Sequence, residues 1–151
     1  MAAEAKSMLA GLVGAAVLLA GCGAGNPGLP KAEWITRADK ICATARDDIA
    51  ALPRPGTLAE VGAYATKTRK IAERELGALR NLDAPRTDRD TVMKMLQFVE
   101  DGIHATERVE KAAKKGDAEA ATSAIDEVNG LTDRANALAR AYGLQVCGGK
   151  G

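Results

Sequence analysis

From Trp34 onward, apolar and polar residues follow one another with the period of a helix. Trp34, Ile35, Ala38, Ile41, Ala45, Ile49 and Leu52 recur at steps of three and four, which places them on one face, and Pro53, Pro55 and Gly56 stop the pattern. Thr57 and Glu60 have the spacing at which a hydroxyl and a carboxylate satisfy the free amides of a helix start. The second helix they open carries Leu58, Val61, Ala65, Thr68 and Ala72, flanked by Ile71 and Leu76 and followed by Leu79, until Asp83, Ala84 and Pro85 break it. Thr87 or Asp88 is placed to cap a third helix with the line Val92, Leu96, Val99, Ile103, Thr106, Val109 and Ala113, closed by Gly116. Asp117 opens a fourth, in which Ala121, Ile125, Val128, Leu131, Ala135, Leu138 and Tyr142 keep almost heptad spacing up to Gly143. No stretch shows two-residue alternation rich in β-branched residues, so strands are not expected.

Four amphipathic helices of roughly 22 to 29 residues with short connections predict an all-α, antiparallel up-down four-helix bundle. It would occupy residues 31–148, enough for one domain. Many alanines alternate with larger apolar residues, which predicts close helix packing and little room for an internal ligand.

The first thirty residues follow another pattern. Fourteen uncharged residues, Met8 to Gly21, come after a short segment containing Lys6, the order of a secretory signal. A membrane-spanning helix needs about 20 apolar residues, and this run is shorter. Leu19, Ala20, Gly21 and Cys22 resemble the lipobox of bacterial lipoproteins, in which cleavage leaves a lipidated cysteine as the first residue. The resemblance implies a signal peptide over 1–21, a diacylglyceryl anchor on Cys22 and an extracytoplasmic location at the cell membrane. Two acyl chains, at about 0.8 kcal/mol per buried CH₂, hold a protein where one does not. Residues 22–30 then read as a lipidated flexible tether, rich in glycine and proline, whose last eight positions reach at most ~26 Å.

The chain has three cysteines, an odd number that in an exported protein leaves one over. Lipidation of Cys22 accounts for it. Cys42 and Cys147 are then expected to pair in an oxidising compartment, enclosing about 105 residues. In the up-down bundle Cys42 lies about 16 Å into the first helix, so the bridge requires the tail after Gly143 to fold back along that helix.

Charge and composition narrow the function. The chain holds 21 Lys and Arg against 20 Asp and Glu, and residues 1–21 take one of each, so nothing in it seeks polyanions. Trp34, Tyr64, Phe98 and Tyr142 fall one to each predicted helix and offer no stacking platform, which argues against nucleic acid as a partner. Ser123 is the only serine after the signal segment and His104 the only histidine, too little for a nucleophilic triad. Carboxylates mostly alternate with cations, as in Lys67, Arg69, Lys70, Glu73, Arg74 and Glu75, a run that reads as a solvated face. No carboxylate stands isolated in apolar sequence, the usual setting for acid catalysis.

One cluster has the chemistry of a metal site. Met93, Gln97, Glu100, His104 and Glu107 share a flank of the third helix, and an imidazole with two carboxylates suits a divalent cation. Gly102, His104 and Glu107 are similar, over six residues, to the GxHxxE motif of imelysin-like periplasmic helical proteins, which implies a link to iron uptake. The plainer reading has His104 partly solvated beside the apolar line, near Glu100, Glu107 and Arg108.

Across 31–148 the chain resembles small exported helical proteins of high-GC Gram-positive bacteria. Ala38, Asp39, Ile41 and Cys42 match their "ADxIC" stretch, and Gly143, Leu144, Cys147 and Gly148 their "GLxxCG" close. That likeness implies fold and compartment and carries no activity. The expectation is a non-enzymatic envelope lipoprotein without a cofactor, held at the membrane through Cys22, that binds an envelope protein or cell-wall component. The alternative is a metal-binding or metal-delivery bundle using His104, Glu100 and Glu107.

Overall fold

A computed structural model describes residues 27–149 of the chain. The expected signal segment, Cys22 and the start of the expected tether lie outside the described residues. The described part is a helical bundle of four α-helices, α1 (Lys31–Ala50), α2 (Leu58–Arg80), α3 (Arg89–Lys115) and α4 (Ala118–Tyr142), with one 3₁₀ turn at Arg86–Asp88. Among the described residues there are no strands, and no helix is long and apolar enough to cross a membrane.

Local chemistry sets most helix ends. The Thr57 hydroxyl accepts from the Glu60 amide, and the Glu60 carboxylate accepts from the amides of Gly56 and Thr57, bonds that hold the Glu60 carboxyl below its ordinary range. Asp117 accepts from the Ala120 amide at the start of α4. At its end, Gly143 takes φ 113°, a left-handed backbone open to glycine, and turns the tail toward α1. The start of α3 departs from expectation: neither Thr87 nor Asp88 caps it with a side-chain bond. The Asp88 carboxylate is taken instead by the Tyr142 hydroxyl, 2.9 Å away, and by Lys31 at 3.8 Å.

The core forms two clusters. One joins Trp34, Ala38 and Cys42 of α1, Leu79 of α2, Val92 and Met95 of α3, and Ala139, Tyr142 and Leu144 at the end of α4. The first part of α1, the end of α2, the start of α3 and the end of α4 therefore meet. Trp34 and Tyr142, expected on separate helices, touch edge to face with ring centres 5.6 Å apart, and the Lys31 ammonium lies 4.0 Å above the Tyr142 ring. The other cluster, Ala65, Val109 and Ala124 with Val61 and Val128 against it, draws on α2, α3 and α4 and has no residue of α1. On α4 the buried positions are Ala121, Ala124, Ala139 and Tyr142, while Ile125 is exposed. The heptad reading had put Ile125 inside; the smaller Ala124 is the residue that packs against Ala65 and Val109.

The tail folds back along α1, as the disulfide requires. Cys42 and Cys147 are bonded, with Cα atoms 5.2 Å apart, and Leu144 is buried beneath the returning strand of chain. One Asp39 carboxylate takes three successive tail amides, of Gln145, Val146 and Cys147, at 2.9, 2.9 and 3.0 Å. Arg140 donates to the Gly148 carbonyl, and a Cβ at Gly148 would lie 2.8 Å from the Arg140 backbone nitrogen. The other end of the described chain is tied down too: Leu29 donates to Asp83 and Arg86 donates to Pro27, so the expected tether meets the domain four residues before α1 begins.

Candidate functional site

Between the two core clusters lies a cavity of about 390 Å³. Its origin is legible in the side chains of the middle turns. Ala72 of α2, Gly102 of α3 and Ala135 of α4 are too small to fill the space between the helices, and Thr68, Thr106 and Thr132 beside them are shorter than the Leu or Ile that would reach across it. Gly102 leaves open space where a Cβ would stand. α1 adds little beyond Trp34, Cys42 and Ile49. The expectation of close packing with little internal room is thus corrected: small residues draw helices together only where they face one another as a pair, as Gly62 and Ala113 do with 3.0 Å between Cβ positions. Where three helices each present a small residue to the same central space, as Ala72, Gly102 and Ala135 do, they leave a void.

The lining is apolar around a few polar groups. Tyr64, Thr68, Ala72, Glu75 and Leu79 follow at steps of four, four, three and four on the inner face of α2. Glu75, read from sequence as part of a solvated charge run, therefore faces the cavity. Burial pushes its carboxyl up from 4.5 to about 7. No hydrogen bond or ion pair from the described residues reaches it, whereas its neighbours on the outer faces are engaged: Arg69 with Glu110 and Glu73, and Arg74 with Asp48. The signal that would have found it is its register, one turn after Ala72 and one turn before Leu79.

Other lining groups are also unspent. Trp34, 1% exposed, has an indole N–H with no acceptor, the only such buried side-chain atom among the described residues. Thr132 and Asn136 of α4 bring a hydroxyl and an amide with no hydrogen bond from the described residues, and Thr132 is exposed at the rim. Thr68 and Thr106 bond back to carbonyls of their own helices. Glu75 and Tyr64 are the titratable side chains of the lining, since the cysteines in it are disulfide-bonded.

The residues of the alternative metal reading are not gathered into a site among the described residues. Glu100 pairs with Arg80 of α2 at 2.8 Å, and Glu107 pairs with Lys111 at 2.8 Å, a bond that holds its carboxyl below the ordinary range. His104 is exposed, Met93 is 62% exposed, and Gln97 donates to Asp101. Among the described residues no group of three or more His, Cys, Asp and Glu is arranged to hold a metal ion. The physical reason is competition: each carboxylate has a cation within reach on its own or the neighbouring helix. Cys42 and Cys147 form the expected disulfide and border the cavity, and Cys22 lies outside the described residues.

Comparison with known proteins gives no match to a protein-family model, a curated protein or a solved structure.

Proposed function

We propose that the protein is a lipid-anchored binding protein of the cell envelope, which takes a small, largely apolar ligand into the interior of its bundle and performs no chemistry on it. The single observation that carries the binding part is the 390 Å³ cavity, within the size range of small-molecule sites and lined mainly by apolar side chains. The lipobox-like Leu19, Ala20, Gly21 and Cys22 support the compartment in this reading, and the Cys42–Cys147 disulfide is consistent with an oxidising location. In this reading residues 1–21 are removed, Cys22 carries the lipid, and a short tether holds the domain beside the bilayer. The meeting of the α1 start with the α2 end, the α3 start and the α4 end supports an antiparallel up-down order of helices.

Trp34 is the only tryptophan and borders the cavity, so its emission reports occupancy. A compact uncharged probe such as adamantylmethanol is expected to change that emission saturably and to raise the melting temperature. Gly102→Phe, which builds a ring into open space, is expected to abolish both effects while leaving the helical content intact. A probe that binds the variant as well as the parent would exclude the cavity as the site. For the compartment, the intact mass of the native protein is expected to show loss of residues 1–21, acylation and two hydrogens fewer for the cystine. Retention of the N-terminal segment with three free thiols would reject the anchor.

A further inference from the structure

Granted that the cavity is a ligand site, we infer that it selects a compact hydrophobic molecule bearing one protonated amine, which the Glu75 carboxylate holds inside the bundle. The inference rests on what the lining offers and what it lacks. Glu75 is the one charged side chain it contains, and no cation among the described residues pairs with it. The charges that α2 shares with its neighbours are already matched, Asp48 of α1 by Arg74, Glu73 and Glu110 by Arg69, and Glu100 of α3 by Arg80, while α4 brings only the uncharged Thr132 and Asn136 to the lining as polar groups. An uncompensated carboxylate in apolar surroundings gains most from a ligand that brings the missing charge. The unspent oxygens of the Thr132 hydroxyl and the Asn136 amide can accept the other N–H bonds of an ammonium group. The void exceeds the 150 Å³ or so that takes up one aromatic ring, so the apolar body is larger than benzene.

The state of Glu75 gives the selection a pH signature. Burial pushes its carboxyl up to about 7, and only the ionised form attracts an ammonium. Apparent affinity for an amine therefore rises about tenfold between pH 6 and pH 8, in proportion to the ionised fraction. A neutral ligand prefers the protonated, uncharged site and shows no such rise.

The test uses three isosteric probes, adamantylmethylamine, adamantylmethanol and adamantanecarboxylic acid, titrated into the full-length protein with Trp34 emission and calorimetry as readouts. The amine is expected to bind at least tenfold tighter than the alcohol at pH 8 and to gain about tenfold from pH 6 to pH 8. Glu75→Gln is expected to erase both differences and still bind the alcohol, which shows that the variant keeps its cavity. Equal binding of amine and alcohol, preference for the acid, or an amine affinity untouched by Glu75→Gln would overturn the inference while leaving the cavity reading in place. Failure of all three probes would overturn both.

Discussion

Asp39 lies one helical turn before Cys42, and its carboxylate closes the molecule by accepting the amides of Gln145, Val146 and Cys147. Each such bond at this half-exposed carboxylate contributes on the order of 1 kcal/mol, so Asp39→Ala, which removes three, is expected to destabilise the oxidised protein by about 3 kcal/mol. Urea unfolding with the disulfide intact checks this, and Asp39→Asn, with a single carbonyl acceptor, should fall between. Glu75 works in the opposite direction. Its carboxyl titrates at about 7 in the fold against 4.5 in an ordinary setting, so both states are protonated and equal below the lower value. As pH rises from 4.5 to 7 the unfolded chain gives up its proton freely and the folded one does not, so stability falls, and above 7 the whole cost is present. Glu75→Gln is expected to leave melting unchanged near pH 4 and to raise stability by roughly 3 kcal/mol at pH 8, as the ligand-free protein. A variant no more stable at pH 8 than at pH 4 relative to the parent would show that Glu75 is solvated after all. Neither residue's role is visible in its own neighbourhood: Asp39 sits among helix-surface residues and Glu75 in a charged run.

At the scale of elements, ends and stripes were legible because they are made locally. The Thr57–Glu60 box, the Asp117 cap and the left-handed Gly143 each need only residues within one turn, and each stands where the pattern put it. The third helix is the exception, because Asp88 is drawn away by Tyr142 and Lys31, residues at the far ends of the domain. On α4 the heptad spacing named Ile125 where Ala124 is buried, since stepping by three or four leaves adjacent residues equally eligible until a partner helix chooses. Gly130, inside α4, is exposed and has nothing within 4 Å of a Cβ position. Gly130→Ala is therefore expected to stabilise the protein by about 1 kcal/mol through the lower backbone entropy of its unfolded chain, as an increase in melting temperature.

The whole molecule is held as one unit by a bridge across nearly the entire domain, between residues 105 apart in sequence. Closing a loop of that length restricts the unfolded chain by about 4.7 kcal/mol in the chain-entropy model, so reduction of the cystine is expected to lower unfolding stability by about 4 kcal/mol in urea. A change under 1 kcal/mol would mean that the Asp39 bonds and the Leu144 packing suffice without it. The sequence by itself determined the four helices, most of their buried stripes, the caps of α2 and α4, and the pairing of the two cysteines, because helix geometry repeats every few residues and thiols can be counted. Only the tertiary structure decided that Ala72, Gly102 and Ala135 would leave a void between two core clusters, that Glu75 would face it with no partner among the described residues, and that the carboxylates of the alternative metal reading would be claimed by Arg80 and Lys111. Desolvation and ion pairing are sums over neighbours brought from distant parts of the chain, and no window of one helix contains those neighbours.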